Sequence, residues 1–129
     1  PLTEVDYLAN TITNGTVYVF IEEDGKVLSA ASAEINYKYR NAELTDCATL
    51  TEVRGQRHMK QLLQKLEVIL FEKKIFCSYS IARSQSYGIN KLFHDLGYVY
   101  NGKLINNCKI YSGLENMNIW SKSLDKQNL

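Results

Sequence analysis

The stretch ELTDCATLTEVRGQRHMKQLLQKLEVILFEKK, Glu43 to Lys74, reads as strand, sharp loop and long helix. The run Glu43–Leu50 has the β-branched content and partial alternation of a strand. Arg54-Gly55-Gln56 is a tight turn, after which Met59, Leu62, Leu63, Leu66, Ile69 and Leu70 recur at helical spacing. A helix start ordinarily carries Ser, Thr, Asp or Asn as its cap and acids in its first turn. Here Arg54, Arg57, His58 and Lys60 stand instead, cations where the helix dipole disfavours them. Free backbone donors with added cations suit an anion, most simply a phosphate. The same charge pattern also fits a solvated basic turn.

The 129 residues suffice for one domain with a real core and not for two. Hydrophobic content of 45% and charged content of 22% are those of an ordinary soluble globular protein. With 15 basic and 14 acidic side chains the net charge is +1, so no global field recruits nucleic acid or a membrane. No apolar run has transmembrane length and no signal-peptide pattern opens the chain. Cys47, Cys77 and Cys108 are odd in number and widely spaced, the pattern of reduced thiols in a cytoplasmic protein rather than of staples or metal ligands. The start at Pro1 without Met reads as a fragment or a domain cut from something longer.

Working outward from the central stretch, Pro1–Gly15 has a short helical pattern at Val5, Leu8 and Ile12, with Asn14-Gly15 as a C-cap signal. Thr16–Glu22 alternates as a strand, Asp24-Gly25 is a hairpin turn, and Lys26–Ile35 is the returning strand. With Glu43–Leu50 these make a three-stranded antiparallel meander. On the far side of the long helix, Ile75–Ala82 reads as a strand. Ser84 or Ser86 caps a second helix with Ile89, Leu92, Phe93 and Leu96 on one face, stopped by Gly97. A strand interrupted at Asn101-Gly102 lies within Tyr98–Tyr111, Met117–Ser121 is a last short strand, and residues 125–129 are a frayed tail. This order is α+β or mixed α/β.

Arg54-Gly55-Gln56-Arg57-His58-Met59 between strand and helix resembles the acyl-CoA pyrophosphate loop of the GNAT family of N-acetyltransferases. That loop is usually Gln/Arg-x-x-Gly-x-Gly/Ala; Arg54 matches its first position, while Arg57 and Met59 stand where the two glycines usually are. The longer text AELTDCATL, SIARSQSYGINKLFHDLGY, NGKLINNCKI and LENMNIW resembles the β-lysine N-acetyltransferase branch, over roughly Thr16 to Leu124. The resemblance implies a mixed, mostly antiparallel sheet with helices on both faces, as one domain over residues 1–124. Members usually have one more strand and two helices ahead of the hairpin, for which only Pro1–Gly15 is available, so the domain reads as N-terminally incomplete. It further implies acetyl-CoA as co-substrate with no metal, and acetylation of the side-chain amine of β-lysine to give a compatible solute. Rival readings are another amine acceptor, an acyl-CoA-binding fragment without turnover, or a generic phosphate or nucleotide site at the basic helix start. A homodimer is compatible with all of them.

By the same resemblance, the pantetheine arm pairs with the strand end through the backbone of Cys47, Thr49 and Leu50. The diphosphate meets the start of the helix, with Arg54, Gly55, Gln56, Arg57, His58, Met59 and Lys60 as the residues involved. The chemistry needs an unprotonated amine, whose ordinary pKa is near ~10.4, so a base must take its proton. Members often place a tyrosine four residues before the glycine ending the second helix, as acid for the leaving thiolate; Phe93 stands there, beside the cofactor. Asp46 is a candidate base, falling under ideal alternation with Leu44, Ala48 and Leu50, a set where a carboxylate needs a partner. It reads equally as a structural aspartate bonded to nearby backbone. Glu43 falls on the opposite face with Thr45, Cys47 and Thr49, and a bulge that the family carries in this strand would change the facing of either acid. Asn106-Asn107, mid-strand where asparagine is depleted, reads as a pair of substrate hydrogen-bonding groups or as a plain bend.

Overall fold

The computed structural model describes residues 10–12, 15–49, 58–110, 113–125, 127 and 129; within the strands, the side chains of residues 10–12, 46, 48, 106–110 and 113 are not described. Nine elements follow in order among the described residues: β1 (Asn10–Ile12), β2 (Thr16–Glu23), β3 (Lys26–Asn36), β4 (Asn41–Thr49), α1 (His58–Glu72), β5 (Cys77–Arg83), α2 (Tyr87–Asp95), β6 (Val99–Ile110) and β7 (Gly113–Ser123). The strands form one sheet in the order β1-β2-β3-β4-β5-β7-β6. Only β4 and β5 pair in parallel among the described strands. Such a pair needs a crossover, and α1 supplies it. The fold is therefore the mixed α/β arrangement expected from the order of elements, with the mostly antiparallel sheet that the resemblance implied.

The meander forms as its sequence dictates. Val17, Val19 and Ile21 alternate into the core along β2. Asp24 and Gly25, both at positive φ (51° and 80°), make the two-residue turn between the partners Glu23 and Lys26, the backbone that matches strand twist. Along β3 the buried side chains opposite Ile21, Val19 and Val17 are small (Ser29, Ala31, Ala33), leaving volume for Leu62, Leu63, Leu66 and Leu70 of α1. α1 ends just past Glu72, where Lys74 turns left-handed (φ 64°) and the Ile75 amide returns to the Leu70 carbonyl. Gly97 (φ 89°) closes α2 in the same way, with the Tyr98 amide on the Phe93 carbonyl.

Two expectations change. Ile12 lies in a strand, not a helix, pairing with Thr16 on the outer edge of β2; open ladder groups there outweigh a weak three-residue periodicity, whose other members lie outside the described residues. Gly15 accordingly serves as a left-handed link (φ 78°) whose carbonyl receives the Ile35 amide, and an added Cβ would meet the Ile35 oxygen at 3.1 Å. The last strand is also longer than Met117–Ser121. β6 and β7 pair from Ile110–Gly113 to Val99–Ser121, because register shifts at Gly102 and between Leu104 and Cys108 absorb the irregular residues without ending the ladder.

A buried charge pair ties the layers. Lys122 on β7 donates to Glu67 Oε1 of α1 at 3.1 Å and to the Leu96 carbonyl capping α2 at 2.8 Å. Both helices thus meet the same side of the sheet, since one side chain reaches both; helices on both faces, which the resemblance implied, are not seen among the described residues. Burial lifts the Glu67 carboxyl above its usual range, with the Lys122 charge and the Tyr98 hydroxyl opposing. Among the described residues no helix is long and apolar enough to cross a membrane. Replacing Lys122 by Met should strand the Glu67 carboxylate and cost about 3–5 kcal/mol in urea unfolding, whereas Glu67→Leu with Lys122→Met should stay close to the parent.

Candidate active site

β4 and β5 stay paired for three residue pairs, Asn41–Cys77, Ala42–Ser78 and Glu43–Tyr79, and then part. Where they separate, Ser80 Oγ donates to the Leu44 carbonyl at 2.9 Å, a side chain standing in for the lost ladder bond. Beyond that point a cavity of about 290 Å³ opens between the two strands. Its walls include Leu44, Thr45 and Cys47 from β4, Ser80 to Arg83 from β5, Ser86, Ile89 and Phe93 from the α2 region, and Met117 from β7. Successive β5 side chains point to opposite faces, and both sets line the gap, so it passes through the sheet from the helix side to the open side.

A bulge sits at this mouth. Ser32 pairs with Thr45 and Ala30 with Ala48, so three steps on β4 oppose two on β3, and the extra residue falls at Asp46–Cys47. Ideal alternation therefore fails here, as the resemblance had implied. Cys47 is half-buried, lines the cavity, and directs its thiol to the Thr45 carbonyl at 3.8 Å. Thr49 Oγ1 accepts from Ser29 at 3.0 Å. Phe93 is fully buried on the cavity wall and meets Tyr98 edge-to-face at 5.0 Å, so the α2 position that commonly offers a hydroxyl offers only a ring.

Glu43 is half-buried and stands opposite Glu34 on β3 and Tyr79 on β5. Two carboxylates directly opposed across a ladder repel. The Tyr79 phenol is pushed above its usual value by burial and then by the Glu43 and Glu34 charges. At the start of α1, His58 is buried, the first turn holds no acid, and Lys60 lines a different cavity of about 350 Å³ with Glu67, Asp95 and Lys122. Asn106 and Asn107 belong to the expanded part of β6, where four steps from Leu104 to Cys108 oppose two from Met117 to Glu115. Leu50, Arg54, Gly55, Gln56 and Arg57 lie outside the described residues, as do the side chains of Asp46, Asn106 and Asn107. The structure thus gathers Cys47 and Phe93 at the cavity and sets Glu43 beside its closed end.

A family model described as the acetyltransferase (GNAT) family matches residues 2–98. The chain belongs to the GNAT family. It is 44% identical over 124 residues to a β-lysine N(6)-acetyltransferase of Methanosarcina mazei, covering 96% of this chain and 46% of that one. The N-acetyltransferase YodP of Bacillus subtilis is also 44% identical over 124 residues, 96% of this chain and 45% of the relative. The chain spans about half the length of the curated relatives it matches. Among solved structures, the ribosomal-protein-S18-alanine N-acetyltransferase of Escherichia coli superposes with a TM-score of 0.79 at 17% identity, covering 92% of this chain and 77% of that one. The spermidine/spermine N-acetyltransferase SpeG of Vibrio cholerae gives 0.79 at 19% identity, with 89% and 69% covered. At those identities the superpositions show the shared GNAT fold.

Several residues around this GNAT cleft were not singled out by their sequence. Arg83 ends β5 and grips Glu115 of β7 side-on, Nε to Oε1 at 2.8 Å and Nη2 to Oε2 at 2.7 Å. Asn90 of α2 accepts from Trp120 Nε1 at 2.8 Å and Asn118 at 3.0 Å, and its amide donates to the carbonyls of Arg83 at 2.9 Å and Ser86 at 2.7 Å. Ser86 makes no side-chain cap bond, and Ser84 turns to Asn118 at 2.9 Å, so Asn90 rather than a capping serine anchors the start of α2. Asparagine inside a helix was the available signal, since it competes there with the backbone and needs a reason. Asn90→Ala should cost about 1–3 kcal/mol in chemical denaturation by orphaning the Trp120 and Asn118 donors, while exposed His94→Ala should stay within about 0.5 kcal/mol.

Proposed function

We propose that this chain carries the acetyl-CoA-dependent N-acetyltransferase activity of its family, with the side-chain amine of β-lysine as acceptor. The observation that carries the reading is the early parting of β4 from β5. It leaves the β4 backbone past Glu43 without a strand partner on that side, the arrangement that an amide-bearing pantetheine arm would complete as an added strand. Cys47 and Thr49 bracket that edge, and the start of α1 with Arg54 to Lys60 receives the diphosphate. The choice of acceptor is supported by the name of the M. mazei relative. The product, N-ε-acetyl-β-lysine, carries one charge fewer than its precursor and suits a compatible solute held in the cytoplasm.

In the reaction the acceptor nitrogen attacks the thioester carbonyl; the N–C bond forms, the C–S bond breaks, and the ammonium proton leaves. Glu43, on the open side with Glu34 opposite, draws the cationic acceptor and takes the proton directly or through water, with Asp46 at the bulge as its alternate. β4 amides polarise the carbonyl, and the cleft supplies orientation. The leaving thiolate, whose conjugate acid ordinarily titrates near ~8.5, is a weaker base than an amine, whose ammonium is near ~10.4, so it departs without an acid at Phe93 and takes its proton from water.

A second reading, acyl-CoA binding without turnover, draws on the fully buried Phe93. Incubation with acetyl-CoA and β-lysine, with lysine and spermidine in parallel, should release thiol fastest with β-lysine. Glu43→Gln should lower kcat by about 10²- to 10⁴-fold with the KM for acetyl-CoA unchanged. Acetyl-CoA binding without thiol release for any amine would favour the second reading.

A further inference from the structure

The 290 Å³ cavity has one charged side chain among its described lining residues, Arg83. Its partner Glu115 is 5% exposed, while Arg83 itself is 48% exposed. A buried carboxylate at the start of β7 is costly unless paired. The side-on clamp meets that need and fixes the plane of the guanidinium against the cavity. The two-point clamp orients the group.

Position adds a second constraint. Arg83 alternates with Ser80 and Ala82, which face the helices, and shares its face with Ile81 and Tyr79. On that open side, Glu43 and Glu34 stand level with Tyr79, four residues earlier on β5, roughly 13 Å away at strand rise. The gap is thus acidic near its closed end and cationic at its far mouth. The start of α1, where an acyl-CoA diphosphate belongs, follows β4 and not β5.

We propose that Arg83, oriented by Glu115, is the acceptor-specificity residue that binds the carboxylate of an amino-acid amine whose ammonium end lies toward Glu43. This rests on the acetyltransferase reading above and names the part of the acceptor that the cleft distinguishes: a zwitterionic diamino acid over a plain diamine.

The test compares each amino acid with its decarboxylated analogue, β-lysine with pentane-1,4-diamine and lysine with cadaverine, in the parent and in Arg83→Gln, Arg83→Lys and Arg83→Gln with Glu115→Gln. The double variant guards against destabilisation by a stranded Glu115. The parent should prefer the carboxylate-bearing member. Arg83→Gln and the double variant should raise KM for that member about 10- to 100-fold, the value of a charge-assisted hydrogen bond, with kcat and the diamine little changed. Arg83→Lys should recover part of the loss. A parent without preference, including one that acetylates neither member, overturns the proposal. An equal loss for both members, or a rise confined to the KM for acetyl-CoA, also overturns it and assigns Arg83 to the framework or to the cofactor. Acetylation by the parent without dependence on Arg83 removes this inference alone, whereas absence of acetylation with every amine removes the reading beneath it.

Discussion

Strand β4 shares only three residue pairs with its parallel neighbour, and the site depends on that brevity. A full ladder would close the sheet and leave no room between Leu44 and Ser80. The parting is held open from several directions: the Ser80 hydroxyl satisfies the Leu44 carbonyl, the bulge at Asp46–Cys47 turns β4 away, and α2 is pinned to the end of β5 by Asn90. The Ser80 hydroxyl is the polar group that stands in for a ladder bond that the cleft forbids.

On the opposite end of the same strands, the structure is knitted tightly. Lys122 draws Glu67 and the α2 cap together, while the Tyr98 hydroxyl meets Ser78 at 2.7 Å beneath them. The molecule therefore has a dense end, where helices and sheet share buried hydrogen bonds, and a split end, where β4 and β5 part. Beside the split, the carboxylates of Glu34 and Glu43 stand opposite each other across the β3–β4 ladder.

Much of this was legible in the chain itself. The periodicity of Leu62, Leu63, Leu66 and Leu70, the Asp24-Gly25 turn, the stop at Gly97 and the strand order through the meander all follow from local chemistry, and each is found where expected. The basic, acid-free start of the long helix and the text around Ala42–Leu50 and Ser80–Tyr98 carry the GNAT resemblance within the sequence alone. Local rules failed where pairing decided the outcome. Ile12 joined β2, and β7 began at Gly113 instead of Met117, since register across a sheet depends on which edge is available.

The sequence by itself determined the elements, their order and the family, because those depend on periodicity, turn residues and contiguous motifs. Only the tertiary structure decided which carboxylates meet and which are paired. Glu34 comes opposite Glu43 through a hairpin register, and Arg83 reaches Glu115 across 32 positions, relations set by strand pairings that no local pattern records. Phe93 shows both sides: its place in the motif was readable, but its full burial on the cavity wall, as a ring without a hydroxyl beside the cleft, was fixed by packing against Tyr98.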